Sequence, residues 1–478
     1  MAFRLPLLAL SCSLLTLGAG QAAADNQPEE PSGPTSADAI RLPDALQTAI
    51  RQSPTLESAR IDLSVADAAV VRSLGIDDLL FRAAGSYARQ VNQTVAGNIV
   101  ATNNSARAEL GVDFIKLLPT GGTATLHVGG ARRNSSFAAA AMEFTDYNTD
   151  VTARLDQPLI RGRGKAISHA GQEQARRNLK ASELGLRARA RDEIQQILES
   201  YWELVWTHKS LEIQQSALTL AKERRRITDA SIRLGSAPAT ALLEVDQIIA
   251  TSEEDILLAE QRITARSLDL RQRTGMEIGP GKLDLKPVEE LNVNPETFDL
   301  DKVVELAMQN DPNLAAFAEQ GASAQIAIRV AKNASDPRLD LGLSAGPVGT
   351  ASTLSDSLKG LGKLKGYQIF GSLTYEQRID NNEGLGQRKD ARAQYQRVLV
   401  NERTLRAQVA TAAATSVQSA HVAMKRMELS KLTMELSEKN IEAERRRFES
   451  GKSTNFDVLQ RQDEQKQARL RFARAAIE

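Results

Sequence analysis

"RRFESGKSTNFDVLQRQD", Arg446 to Asp463, decides the fold, because the chain writes the same layout twice. From Ala230 to Gln247 it reads "ASIRLGSAPATALLEVDQ". In each stretch a charged helical run reaches a glycine, and a second run starts a few residues later. Ile232 answers Phe448, Gly235 answers Gly451, Ala237 answers Ser453, and Leu242-Leu243 answer Val458-Leu459. Glycine after a charged run is a helix stop, and Ser453-Thr454 is a helix start.

The runs leading into these turns are long. From Ala166 to Leu234 there is no proline, and the only glycines are Gly171 and Gly185. Ile194, Ile197, Tyr201 and Leu204 follow steps of three and four, while Ile213, Leu220, Ile227 and Leu234 fall seven apart. Both patterns mark a coiled-coil seam. At 1.5 Å per residue such a helix is roughly 100 Å long. Met427, Met434, Ile441 and Phe448 repeat the seven-residue step ahead of the second turn.

Ahead of each long helix the period drops to two. "ARAELGVDF" sets Ala108, Leu110, Val112 and Phe114 against Arg107, Glu109 and Asp113. "LPTGGTATLHV" and "DVTARLDQPL" continue the alternation, and "PRLDLGLSAG" and "YQIFGSLTYEQ" show it in the second half. These are strands with one apolar and one polar face. Each half also opens on a similar helix: "LDKVVELAMQNDPNLAAFAEQ" echoes "LPDALQTAIRQSPTLESARID", with Pro312 answering Pro54. The chain is thus an internal duplication. The first repeat spans 41–275 (helix, strands 82–159, long helix 166–234, helix 239–274). A loop-rich connector spans 276–299. The second repeat spans 300–478 (helix, strands 338–379, long helix 387–450, helix 454–478). By the repeat, the last helix is expected to continue about thirteen residues beyond Glu478.

Composition sets the class. The chain has 478 residues with 60 basic and 60 acidic side chains, so no net charge draws it to nucleic acid. "MAFRLPLLALSCSLLTLGAGQAAAD" carries Arg4, an apolar stretch and a small-residue end, a secretory signal cut after Ala24 (residues 1–24). The alternative is lipidation at Cys12, the one cysteine. Residues 25–40 read as a Pro-rich mobile linker. No later run approaches the roughly 20 apolar residues of a membrane helix, which leaves a soluble chain or a β-barrel. Half-apolar strands with open edges cannot close a barrel alone, and long helical hairpins bury little alone. Several copies sharing both form a conduit.

The chain resembles the TolC family of outer-membrane efflux proteins. "LPDALQTAIRQSPTLESA", "LDQPLIRGRGKA", "ESYWEL", "IRLGSAPATALLEVDQ" and "FESGKSTNFDVL" carry the likeness in order, from about Arg41 to Glu478. The resemblance implies a mixed fold, mainly α with β: a homotrimer whose outer-membrane β-barrel, four strands per chain, joins a periplasmic α-helical coiled-coil barrel. It implies an exit duct in the outer membrane of a Gram-negative bacterium. The duct would serve a tripartite efflux or type I secretion system, without cofactor or catalysis. Its partners would be a periplasmic adaptor (membrane fusion) protein, an inner-membrane pump of RND or ABC type, and outer-membrane lipid. The hairpin tips that meet the adaptor would be Leu234-Gly235-Ser236 and Ser450-Gly451-Lys452, although neither keeps the family's usual neighbours of the glycine. The periplasmic gate would use Asp457, with Gln460 where the family has a second acid. The reading from the residues alone is that Asp457 caps a helix start. Residues 105–132 exceed the implied strand count, and would either lengthen the barrel or form an external loop.

Other readings are weaker. His127, His169, His208 and His421 lack metal-ligand spacing, and His208 falls on the coiled-coil seam. "RGRGK" lacks the Walker spacing and reads as a strand-to-helix bend. Trp202 and Trp206 read as packing residues. The alternative function is a soluble periplasmic coiled-coil scaffold or adaptor.

Overall fold

A computed structural model describes residues 38–96, 99–137, 142–235, 238–279, 283–289 and 296–478. The signal with Cys12 and Ala24, the linker up to residue 37, and the tip residues Ser236 and Ala237 lie outside them.

A short strand, β1 (Asp38–Ile40), leads into α1 (Leu42–Gln52) and α2 (Pro54–Leu74). Four long strands follow: β2 (Leu80–Ala96), β3 (Ile99–Leu117), β4 (Thr123–Phe137) and β5 (Met142–Pro158). A one-turn α3 (Lys165–Ser168) leads to α4 (Ala170–Arg233) and α5 (Thr240–Thr274). After β6 (Leu285–Pro287), the order returns as α6 (Leu300–Asn310), α7 (Pro312–Ala334), β7 (Arg338–Ala351), α8 (Leu354–Gly362), β8 (Gly366–Glu376), α9 (Asn382–Glu449) and α10 (Asn455–Ile477). With 64 and 68 residues, α4 and α9 are each about 100 Å long. No helix among the described residues is long and apolar enough to cross a membrane.

β2 to β5, β7 and β8 form one antiparallel sheet in the order β2-β3-β4-β5-β7-β8. This corrects the implied four strands per chain to six. The surplus stretch 105–132 sits inside the sheet as parts of β3 and β4, not as an external loop. The β5–β7 ladder joins strands of the two halves. Among the described residues β2 and β8 pair on one side only.

Register sorts the faces. Phe81 pairs with Phe114, Phe114 with Leu126, Leu126 with Ala153, Ala153 with Ala345 and Ala345 with Ile369. Cross-strand partners share a face, so this row runs across one side of all six strands. On that side Tyr367 and Ile369 are 75% and 76% exposed, too much apolar area to leave in water. The opposite side carries Asp113, His127, Asp150, Arg154 and Asp156. His127 Nδ1 lies 2.5 Å from Asp113 Oδ1, its ring against Gly111 and Gly129, and Arg154 donates to Asp156 at 2.7 Å. Apolar-out and polar-in is the pattern of a transmembrane barrel wall.

The root of the sheet meets the helices at glycines. In "LPTGG" and "RGRG", Gly121, Gly162 and Gly164 all have φ near +90°. Gly164 N–H donates to Thr120 O at 2.8 Å, and a Cβ on Gly121 would sit 2.2 Å from Gly162 O. The second stretch is thus a strand-to-helix bend locked to the β3–β4 turn.

The apolar core lies partway along α4. Ile197, Tyr201, Leu204 and Val205 pack with Ala45, Ala49, Ile263 and Leu270. Here two expectations change. Asp38–Ile40, assigned to a mobile linker, and Leu285–Pro287, assigned to a loop-rich connector, pair as parallel strands, with Ile40 and Leu285 buried. His208 does not sit on a helix seam. Its Nε2 lies 2.8 Å from Leu285 O, and burial pushes its pKa down against the opposing effect of that carbonyl. A heptad position shows that a side chain is covered, not that the cover is a helix. Trp202 packs edge-on against Tyr201, and Arg474 stacks over Trp206, so both tryptophans serve packing.

Candidate periplasmic tips and gate

Both quoted turns close in the same way. Leu234 caps α4 and Gly235 follows at φ +72°, while Ser450 caps α9 and Gly451 follows at φ +71°. Gly235 N–H donates to Ile232 O and Gly451 N–H to Phe448 O, both at 2.9 Å, and Lys452 N–H donates to Arg447 O at 2.8 Å. A left-handed residue just past a helix end satisfies orphan carbonyls, and glycine adopts that conformation without a Cβ clash. The two tips differ in what they present. Leu234 is 83% exposed, an apolar knob, whereas Ser450 and Lys452 make the second tip polar.

Asp457 begins α10 as part of a capping box. Thr454 Oγ1 accepts from Asp457 N–H at 3.3 Å, while Asp457 Oδ2 accepts from Thr454 N–H at 3.0 Å and from Thr454 Oγ1 at 2.7 Å. Ser453 Oγ also donates to Oδ2, at 3.3 Å, and ties the turn back to Glu444 on α9. The hydrogen bonds from Thr454, side chain first and backbone second, hold the Asp457 carboxyl below its ordinary range. The capping interpretation of Asp457 is therefore realised in the structure. Gln460, one turn on, is exposed and donates to Glu464 at 3.4 Å, so the two candidate gate residues do not touch through these bonds.

Sequence reasoning overlooked how the tips are held together. Arg224 of α4 is buried and lies 5.1 Å over the Phe448 ring of α9, a cation–π contact just behind both turns. Its charge in the middle of an apolar-spaced run was the available signal. The seven-residue seam expected on α4 stays open here. Ile213 and Leu220 line a cavity of about 620 Å³ between α4, α5 and α10, together with Ile248, Phe456 and Leu459. Among the described residues no cluster of His, Cys, Asp and Glu could hold a metal ion.

The family model described as outer membrane efflux protein matches residues 303–477. Solved channels share the fold. The outer membrane protein VceC of Vibrio cholerae is 15% identical, with TM-score 0.66 over 91% of this chain and 92% of that one. CusC is 14% identical, with TM-score 0.68 over 94% and 92%. The MtrE outer membrane channel of Neisseria gonorrhoeae, in its open state, is 14% identical, with TM-score 0.62 over 94% and 90%. No curated protein sequence matches the chain.

Proposed function

We propose that the chain is a member of the outer membrane efflux protein family, whose model matches residues 303–477, and that three copies form the passive exit duct of a tripartite efflux or type I secretion machine. The observation that carries this reading is a six-stranded wall with two open edges and an apolar outer face, rooted on helices about 100 Å long. In the duct the sheets close into one barrel in the outer membrane, and the helices bundle into a tube in the periplasm. The open seam at Ile213 and Leu220 supports helix packing beyond that within a single chain. An even number of strands per copy also fits closure. β2 and β8 run in opposite directions, so the β8 edge of one copy meets the β2 edge of the next in antiparallel fashion.

The tips around Leu234-Gly235 and Ser450-Gly451-Lys452 are the surfaces for a periplasmic adaptor, which links the duct to an inner-membrane pump. The exposed Leu234 supplies an apolar anchor and Lys452 a charged one. Asp457 has a double role in this reading: it caps α10 and brings one carboxylate per copy to the threefold constriction.

Conductance in planar bilayers separates the two roles. The wild-type duct is expected to give small cation-selective openings. Asp457→Asn retains an acceptor for Thr454 but removes the charge, whereas Asp457→Ala removes both and costs about 1 kcal/mol at the helix start. Loss of cation selectivity in both variants supports the gate. Loss in Ala alone reduces Asp457 to a cap, and a protein that never inserts overturns the channel itself. The cap has a pH dependence of defined sign. Because the folded carboxyl is held low, its stabilisation is complete above the ordinary carboxylate range and disappears as pH falls through the folded value. Protection of the Asp457 and Val458 amides against exchange should therefore fall only as pH drops below the ordinary carboxylate range, and should be lost at neutral pH in Asp457→Ala.

A further inference from the structure

The short helix α8, between β7 and β8, packs with the wrong side inward for a helix in water. Ser357 is fully buried, while Leu354 and Leu358 are each 50% exposed. Leu354, Leu358 and Leu361 are spaced i, i+4, i+7 and form one stripe. A surface helix in water turns such a stripe toward its protein.

The contact explains the inversion. Ser357 Oγ donates to Gly349 O at 2.8 Å, and Thr149 Oγ1 donates to Ser357 Oγ at 2.9 Å. A Cβ on Gly349 would lie 2.0 Å from Ser357 O, so the helix backbone sits directly on the sheet. Gly349 and Thr149 are register partners, and both lie on the apolar side with Leu343 and Leu155. α8 is thus mounted on the outer wall, not in the polar interior.

Its height is marked independently. One step further from the root on the same face, Tyr147 pairs with Ala351 on one side and with Arg132 on the other, and the Arg132 guanidinium lies 5.9 Å over the Tyr147 ring. Tyrosine and arginine at the edge of an apolar band mark a membrane–water boundary. Beyond that row polar side chains enter the same face, with Arg89, Asn104 and Asn134 beside the exposed Val91 and Val95. The lysines of "LSDSLKGLGKLKG", Lys359, Lys363 and Lys365, are all exposed.

Building on the channel reading above, we propose that α8 is an interfacial lipid anchor of the outer leaflet. Leu354 and Leu358 enter the acyl-chain region, and the lysines face the phosphate-bearing headgroups. The exposed leucines continue the lipid-facing surface of the barrel wall, and the docking polar side is already satisfied by the sheet. The helix fixes the depth of the barrel and shields the β7–β8 connection.

Spin labels test the depth. Single cysteines at Leu358, Lys363 and Ile369 are labelled in the full mature channel, reconstituted in vesicles of phospholipid with anionic headgroups. Accessibility to oxygen, which dissolves in lipid, is compared with accessibility to a water-soluble nickel complex. The label at Leu358 should favour oxygen as strongly as the reference at Ile369 on β8, and the label at Lys363 should report headgroup depth. A label at Leu358 that favours nickel while Ile369 favours oxygen overturns the anchor and spares the channel. A Leu358 label shielded from both reagents also overturns it, because another copy would then cover the leucines. Nickel access at all three sites would overturn both readings together.

Discussion

Viewed down its axis, the assembled barrel should measure roughly 36 Å between opposite backbones, against roughly 24 Å for a twelve-stranded one. The estimate rests on strands about 4.8 Å apart tilted by about 40°, applied to three copies of a six-stranded sheet. Side chains on the polar face narrow the free bore, yet the extra strands widen the backbone ring by half. A barrel of this size leaves a water-filled lumen, where a small one is filled by its own side chains. Averaged electron-microscopy projections of the protein in detergent measure the diameter directly. A ring near 24 Å would mean that β2–β3 or β4–β5 leaves the wall, and would withdraw the six-strand count.

The most damaging single substitution expected in the sheet is Gly346→Val. Gly346 lies where the β5–β7 ladder skips two pairs, between Ala153–Ala345 and Asp150–Val348. A Cβ there would stand 1.9 Å from Val151 O and 2.8 Å from Thr152 Cα. Both obstacles are backbone, so no rotamer relieves them, and the ladder joining the two halves must open. Overpacking in a closed interior typically costs about 1–3 kcal/mol, and a clash of this depth lies at or above that range. In the proposed shared wall the same opening would recur in every copy. Heat-modifiable migration of outer-membrane fractions should vanish for Gly346→Val and persist for Gly171→Val, since no atom lies within 4 Å of a Cβ at Gly171. Survival of the folded band in Gly346→Val would contradict the pairing of β5 with β7.

How legible the molecule was depended on what each signal encodes. The tips could be read because Gly235 and Gly451 answer a backbone demand: both sit at φ near +70°, where a side chain is strained. Strand faces could be read at Leu110, Val112 and Phe114 because alternation is a direct image of the pleat. The strand count was misjudged despite visible alternation at 105–132, because the family resemblance implied four. α8 went unseen since the rule that buries leucines inverts in lipid, and Ser357 is the residue that seals its contact. Asp38–Ile40 and Leu285–Pro287 were hidden for another reason. Each strand is three residues long, and the two pair across the whole first repeat, so neither shows a local period. For Asp457 the residues offered two readings, a gate and a helix start, and geometry alone reveals the bonds with Thr454 that commit it to the helix start.

The most direct test of the shared wall is cross-linking between its two edges. Cysteines replacing Ala84 on β2 and Ser372 on β8 face the polar side of opposite edge strands, and a short thiol-reactive linker can bridge neighbours even where their register is shifted. The double variant in outer membranes should give covalent trimers, and either single variant none at the same exposure. Covalent monomers alone, or a purified chain that stays a single copy in detergent and in water, would contradict closure by three copies and the duct built on it.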